Sequence, residues 1–110
     1  LGTNNSIMTA AGNDYGYEKV FSRELEAIGR KDDIFVAIST SGNSKNIIEA
    51  VRSAKKKEMF VMGWTGEKGG VLDELCECIK IPSKNVARIQ ECHITIGHIL
   101  CEIVEKELFN

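Results

Sequence analysis

Four hydroxyl side chains within six residues carry the clearest chemistry of this sequence; they are those of Ser39, Thr40, Ser41 and Ser44. Hydroxyl groups can donate hydrogen bonds to the oxygens of a phosphate. The apolar run Ile34–Ile38 precedes them and predicts a buried strand, and apolar residues at helical spacing follow from Ile47. A turn between a strand and a helix N-terminus is a favourable place for an anion. We therefore predict that residues 39–44, called the cradle below, bind a phosphate group.

Two common nucleotide-binding motifs do not fit the cradle. A Walker loop ends in Gly-Lys-Ser/Thr, and a dinucleotide fingerprint needs three spaced glycines, whereas the cradle contains only Gly42. Gly42 permits a positive φ, and Asn43 or Ser44 can cap the following helix. A turn that merely caps a helix is the structural alternative. The cradle indicates a phosphate but does not identify the phosphorylated molecule.

Length and charge limit the functions that fit. The chain has 110 residues and a formal net charge of −2, which suits a single domain, residues 1–110, with a modest core. The negative charge argues against nucleic acid as the main ligand. No apolar stretch reaches membrane-spanning length, and no signal peptide is recognisable in the sequence. We expect a cytoplasmic protein that has no membrane partner.

The cysteines predict neither a zinc knuckle nor a disulfide framework. Cys76 and Cys78 are separated by one residue, which is too close for an ordinary zinc-binding pair. Cys92 and Cys101 fall in a helical pattern among Ile and Leu residues. We interpret all four as reduced, mostly buried thiols.

The elements that position the cradle alternate between strands and helices. An amphipathic helix over 17–29 leads to the strand Ile34–Ile38, and a helix over 43–57 follows the cradle. A strand over 59–64, a short helix over 71–75 and a strand over 78–81 come next. Strand–helix–strand order predicts a parallel sheet with a right-handed crossover. The loop over 65–70 should then lie at the same sheet edge as the cradle.

A long helix over 86–109 ends the chain. Its apolar residues cover more than one stripe, which predicts burial on more than one side, including in a subunit interface. Gly97 costs about 1 kcal/mol relative to Ala in a helix interior, so we expect a close neighbour there.

Polar residues interrupt the apolar pattern of this helix. His93 is best interpreted as a hydrogen-bonded structural histidine, whereas His98 is a candidate acid or base. Gln90 precedes His98 by about 12 Å along the axis, so a shared ligand would need their side chains to lean together.

Several segments together resemble the phosphoheptose isomerases of the sugar isomerase (SIS) domain superfamily. They are Asn13–Gly16, Phe21–Arg23, the cradle, Thr65-Gly66 with Gly69-Gly70, Arg88–Glu91 and His98. The cradle alone indicates only an SIS domain, but its combination with Asn13–Gly16 and His98 is much more specific. The resemblance covers nearly the whole chain.

The resemblance implies a fold, an assembly and a reaction. The fold is an α/β, three-layer αβα sandwich with a parallel sheet, in a homotetramer whose active sites lie between subunits. The reaction interconverts sedoheptulose 7-phosphate and D-glycero-D-manno-heptose 7-phosphate, the first step toward the surface heptose of bacterial lipopolysaccharide.

The resemblance also implies roles for particular residues. The phosphate contacts would be Ser39, Thr40, Ser41 and Ser44. Asn13 and Asp14 would contact the sugar. Gln90 and His98 would belong to the catalytic centre and, in zinc-containing members, would bind the metal. Because an aldose–ketose isomerisation moves a proton between adjacent carbons, it needs a base and an acid, and His98 would be one of the two.

Two departures from the family pattern accompany the resemblance. The family's catalytic glutamate, further metal ligands and another phosphate-binding serine lie on N-terminal elements that we expect this chain to lack. We therefore expect its site to be incomplete. Ala87 also stands where many members carry an acidic residue, so a substrate or metal contact is in question there.

Two alternative functions stay open. Non-enzymatic SIS relatives that bind the bacterial replication initiator share the stretch Ala87–Glu91 but lack the histidine that matches His98. A phosphosugar-sensing module of a transcription regulator would need a DNA-binding domain, and none is visible in the sequence. His98 favours the isomerase.

Overall fold

The chain forms a parallel three-stranded sheet in which the strands lie in the order β1-β2-β3. The strands are β1 (Ile34–Ile38), β2 (Phe60–Thr65) and β3 (Glu77–Lys80). The structure, a computed structural model, describes residues 16–109. Ile38 pairs with Trp64, and Thr65 pairs with Lys80. The carboxyl ends of all three strands therefore meet at one edge, and the cradle follows β1 at that edge.

Helices lie on both faces of this sheet. A 3-10 turn (Tyr17–Lys19) leads into α1 (Val20–Ile28); α2 (Lys45–Lys56) joins β1 to β2, and α3 (Gly70–Leu75) joins β2 to β3. These helices pack on one face, with α1 against α2 and α2 against the sheet. On the other face, α4 (Val86–Phe109) crosses over Trp64. The predicted three-layer αβα class with a parallel sheet is confirmed.

The core lies between the sheet and α2. Ala37 of β1, Val51 of α2 and Leu72 of α3 are fully buried and form one cluster. The apolar side chains of α2 recur at helical spacing and therefore form one stripe along the helix. This stripe packs against the sheet. This packing fixes the start of α2, and with it the cradle, against the ends of β1 and β2.

The predicted boundaries agree with the structure to within a few residues. Strands β2 and β3 are each shifted by one residue from the predicted ranges 59–64 and 78–81. Helix α1 ends at Ile28, as expected from Gly29, but Gly29 has an extended backbone (φ −70°, ψ 146°). Its N–H still donates to the carbonyl of Leu25 at 2.7 Å. The predicted end of this helix near Gly29 is confirmed.

Within one chain, α4 is covered on one side only, and the predicted burial of its other sides in a subunit interface stays a prediction. Only Ile89 and His93 of this helix are buried, whereas apolar residues farther along it, such as Ile103 and Leu108, are at least half exposed. A helix of 24 residues is about 36 Å long, but three strands about 4.8 Å apart offer a much narrower surface. Helix α4 therefore extends beyond the sheet surface that could cover it. No helix in the described residues combines the length and apolarity needed to cross a bilayer.

The cysteines are free thiols, as predicted, but they are less buried than expected. Cys76 and Cys78 are half-buried beside the core, and Cys92 and Cys101 are exposed. The last two lie on the sides of α4 that this chain leaves uncovered. The prediction of mostly buried thiols is therefore wrong for Cys92 and Cys101.

Candidate functional site

The cradle forms a tight turn directly after β1. The N–H of Ser39 donates to the Trp64 carbonyl at 3.0 Å, and the N–H of Gly42 donates to the Ser39 carbonyl at 3.1 Å. Gly42 has φ +71°, and a Cβ added there would lie 1.9 Å from the carbonyl oxygen of Gly69. Only glycine fits this position, because the conformation is left-handed and a neighbouring backbone fills the space.

Ser39 builds the turn with its hydroxyl group. The residue is buried, with 6% of its surface exposed. Its Oγ accepts the N–H of Gly42 at 3.1 Å and lies 3.0 Å from Oγ of the exposed Ser44. If Ser39 donates to Ser44, the proton of Ser44 is left for an anion. Ser39 therefore shapes the turn, and its predicted phosphate contact stays a prediction that would act through Ser44.

Thr40 and Ser41 line an open cleft of about 460 Å³ at this sheet edge, a size within the range of small-molecule sites. Oγ of Ser41 accepts the N–H of Asn43 at 3.1 Å. The hydroxyl proton of Ser41 is therefore still available to a ligand. The remaining lining residues are Asn43, Glu67, Lys68, Gly70, Ser83, Lys84, Val86 and Ile89.

The charges around the cleft suit an anion. The start of α2 supplies N–H groups without intrahelical acceptors, together with the positive end of the helix dipole. Lys68 and Lys84 line the walls with Glu67, so the side chains add one net positive charge. A phosphate group would be attracted by all of these groups except the carboxylate.

The loop after β2 holds the cradle from the opposite side. The N–H of Gly66 donates to the Thr40 carbonyl, and the N–H of Leu72 donates to the Gly42 carbonyl, both at 2.9 Å. Oδ1 of Asn43 accepts the N–H of Val71 at 2.9 Å. Asn43 therefore binds α3 rather than capping α2, and the N-cap of α2, Ser44, makes no side-chain capping bond. The predicted closeness of the two loops is confirmed.

Gln90 and His98 stand apart from the cleft. Ile89 forms part of the cleft wall, whereas Gln90 and His98 are exposed. His98 lies nine residues beyond Ile89, about 13 Å farther along the helix axis. Within one chain, the structure therefore does not bring His98 to the cradle. Asn13 and Asp14 lie outside the described residues.

The prediction of a structural histidine is confirmed at His93. This residue is buried, and its Nε2 lies 3.0 Å from the Thr65 carbonyl oxygen. Its ring is tilted by 48° to that of Trp64, with 6.1 Å between the ring centroids. His93 thus connects α4 to the end of β2, next to the cleft.

The described residues do not form a metal site by themselves. Within residues 16–109, no group of three or more His, Cys, Asp or Glu side chains lies close enough to hold an ion. Gln90 and His98 would supply two ligands, and zinc in proteins takes three or four.

Sequence reasoning missed the lysines of the cleft. Lys84 follows β3 and Lys68 follows β2, so both belong to loops at the carboxyl edge of the sheet. The rule that placed the cradle at this edge also applies to these loops. The available signal was a positive side chain in each loop after a parallel strand.

Comparisons with known proteins give a consistent result. The family model for the SIS domain matches residues 1–66. Phosphoheptose isomerase 2 of Campylobacter jejuni is 57% identical over 110 residues, which are 99% of this chain and 55% of that protein. The phosphoheptose isomerase of Aneurinibacillus thermoaerophilus is 56% identical over 110 residues, 99% of this chain and 56% of that protein.

Solved structures extend the similarity to three dimensions. A phosphoheptose isomerase from Neisseria gonorrhoeae has a TM-score of 0.91 and 42% identity, covering 94% of this chain and 59% of that one. A phosphoheptose isomerase from Francisella tularensis has a TM-score of 0.92 and 39% identity, covering 96% of this chain and 57% of that one. The chain thus spans little more than half the length of the proteins it matches. None of these similarities favours the replication-initiator alternative.

Proposed function

The chain belongs to the SIS domain family, and on that premise we propose that the protein is an aldose–ketose isomerase acting on sedoheptulose 7-phosphate. Its product would be D-glycero-D-manno-heptose 7-phosphate, a precursor of bacterial surface heptose. The observation that carries the proposal is the convergence of Thr40 and Ser41 with Lys68 and Lys84 in one cleft. The cleft lies beside the N-terminus of α2, where Ser44 is the N-cap. The cytoplasm is the compartment that we propose for this reaction.

The cradle would bind the phosphate end of the sugar. Phosphate oxygens would accept hydrogen bonds from the hydroxyls of Thr40, Ser41 and Ser44 and from the first N–H groups of α2. Ser39 would act indirectly, because its Oγ orients Ser44 at 3.0 Å. Holding the phosphate in this way would position the remainder of the sugar for reaction.

The chemical step would occur at the opposite end of the sugar. A base removes a proton from C1 of the ketose, which gives an enediol, and an acid returns a proton to C2 to give the aldose. The carbonyl oxygen at C2 gains a proton as the hydroxyl at C1 loses one. His98 would be the acid or the base, and Asn13, Asp14 and Gln90 would contact the sugar.

We propose that His98 and Gln90 act in a site shared with a neighbouring copy. Both are exposed on α4, and the apolar residues Ile99 and Ile103, which follow His98 on the same helix, are each 51% exposed. Burial of such residues against a second copy is favourable. A homotetramer assembled through α4 would bring His98 of one copy toward the cleft of another.

A zinc ion is a separate part of the proposal. Gln90 and His98 would supply two of its ligands, and the others would come from outside the described residues. A bound zinc would polarise the sugar oxygens during proton transfer. Metal analysis of the full-length wild type and of His98→Asn tests this part, because loss of His98 should lower the zinc content.

The phosphate role can be tested by calorimetry on the full-length protein with sedoheptulose 7-phosphate. We expect Ser41→Ala combined with Ser44→Ala to raise the Kd by a factor of roughly 10²–10⁴, since each lost bond to a charged group costs about 1.5–3 kcal/mol. Ser53→Ala is the matched control, because Ser53 lies on the same helix outside the cleft and bonds to Glu26 at 3.2 Å. Equal affinity in the double variant and the control would reject the cradle as the phosphate site.

A further inference from the structure

His93 occupies an unusual position on α4. It is a polar residue with only 4% of its surface exposed, on a helix whose other buried residue is Ile89. The catalytic role proposed above belongs to His98 and leaves His93 unused. A buried histidine needs its polar atoms to be matched, because an unmatched one costs about 1–3 kcal/mol.

The hydrogen bond of His93 determines its tautomer. Its Nε2 lies 3.0 Å from the Thr65 carbonyl oxygen, and a carbonyl can only accept. The proton is therefore on Nε2, which leaves Nδ1 of the neutral ring as an acceptor. Within residues 16–109, Nδ1 of His93 and Nε1 of Trp64 are buried without a hydrogen-bond partner.

The acceptor of this bond is part of the framework of the cleft. Thr65 is fully buried at the end of β2, and its carbonyl also accepts the N–H of Ile81 at 3.1 Å. The next residue, Gly66, donates its N–H to the Thr40 carbonyl at 2.9 Å. The carbonyl bound by His93 and the N–H that holds Thr40 therefore belong to the same planar peptide group.

The same bond fixes α4 against the sheet. Ile89, one turn before His93, forms part of the cleft wall. A slide or rotation of α4 would break the bond from Nε2 to Thr65. The position of Ile89 and the position of the loop that holds Thr40 are thus coupled through one imidazole ring.

We propose that His93 is a positioning residue for phosphate binding. Its Nε2–H holds the end of β2 and the start of α4 in the arrangement that lets Thr40 face the phosphate. This role deepens the proposed function and rests on it, since it assumes that the cleft binds the phosphate of the sugar. It gives His93 no contact with the substrate.

The test compares two substitutions in the full-length protein. His93→Leu keeps an apolar body of similar size but removes the donor, whereas His93→Gln keeps an N–H that can reach Thr65. We expect His93→Leu to raise the Kd for sedoheptulose 7-phosphate about tenfold, from the loss of one buried hydrogen bond, and to raise KM more than it lowers kcat. His93→Gln should recover most of the affinity. Thr95→Ala, an exposed substitution on α4, should leave Kd unchanged.

Several outcomes would overturn the role of His93. A folded His93→Leu variant with wild-type Kd would do so, as would a His93→Gln variant as weak as His93→Leu. If His93→Leu does not fold, the ¹⁵N chemical shifts of the wild-type imidazole still decide, because a proton on Nδ1 would contradict the proposed bond. A wild-type protein that binds the sugar phosphate without converting it would reject the proposed isomerase activity. The comparison of Kd between His93→Leu and His93→Gln would still test the role of His93. A wild-type protein that binds no sugar phosphate would reject both the isomerase activity and the role of His93.

Discussion

At the scale of single residues, the cradle divides its hydroxyl groups between two tasks. Ser39 points inward and bonds to the backbone of Gly42, whereas Thr40 and Ser41 face the cleft. Such a division is physically reasonable, because a turn that binds an anion must hold its shape before the anion arrives. Removing the Ser39 hydroxyl should therefore weaken phosphate binding through disorder of the turn.

The half-buried thiols of Cys76, which directly precedes β3, and of Cys78, within β3, give a second result at this scale. Burial raises the pKa of Cys76, and burial together with the nearby Cys76 raises the pKa of the Cys78 thiol to about 12. A thiol reacts as its thiolate. At neutral pH both groups should therefore be protonated and slow to react.

We expect iodoacetamide at pH 8 to alkylate Cys76 and Cys78 much more slowly in the folded than in the urea-unfolded protein, as measured by peptide mass mapping. Because the folded pKa is raised, the contribution of Cys78 to stability is complete below the ordinary thiol pKa. It is lost as pH rises toward about 12. Equal rates of labelling of Cys78 in the folded and unfolded protein would contradict the burial seen here.

At the scale of elements, α4 and β2 meet where Trp64 lies beneath Gly97. A Cβ added at Gly97 would be 3.8 Å from the ring of Trp64, which is ordinary van der Waals contact. The neighbour expected from the glycine is present, but the space admits a methyl group. Gly97 is thus not required by packing within the chain.

Gly97→Ala should stabilise the protein by up to about 1 kcal/mol, because alanine is the better helix former and the methyl group fits. Urea unfolding of both proteins measures the difference. Gly42→Ala is the opposite case, since Gly42 has φ +71° and no room for a Cβ, and it should destabilise the protein. A large loss of stability in Gly97→Ala would show that α4 packs more closely than the structure indicates.

The elements were largely predictable from the sequence because their periodicities are clear. The uninterrupted apolar run Ile34–Ile38 predicted β1, and the spacing of Ile47, Ile48 and Val51 predicted α2. The orientation of the Ser39 hydroxyl was not predictable, because it depends on a rotamer selected by Gly42 and Ser44. How much of α4 this chain itself covers was not predictable either, since apolar periodicity shows that a face is buried but not what buries it.

At the scale of the whole molecule, the exposed apolar residues of α4 support the proposed assembly. Leu108 is 70% exposed and Phe109 is 79% exposed, and Leu100, Val104 and Phe109 line a shallow apolar groove. Contiguous apolar surface of this kind usually marks an interaction site. The proposed tetramer would bury it.

Ile103→Glu should therefore dissociate the full-length assembly at micromolar concentration, because it would bury a charge without a partner. Sedimentation velocity measures the change. Lys56→Glu introduces the same carboxylate at an exposed position of α2, on the face of the sheet opposite to α4, and should leave the assembly intact. A tetramer that persists in Ile103→Glu would exclude this part of α4 from the interface.

The most direct test of the proposed isomerase activity uses NMR to monitor the conversion of sedoheptulose 7-phosphate. The full-length wild type is compared with His98→Asn. Asn is polar and smaller than His but cannot exchange a proton near neutral pH, so the fold should survive, as circular dichroism would show. We expect the wild type to form the heptose 7-phosphate and His98→Asn to be slower by a factor of about 10²–10⁴, the usual value of acid–base catalysis. A folded His98→Asn variant with full activity would remove His98 from the mechanism. A folded, assembled wild type that converts no sedoheptulose 7-phosphate would contradict the isomerase itself.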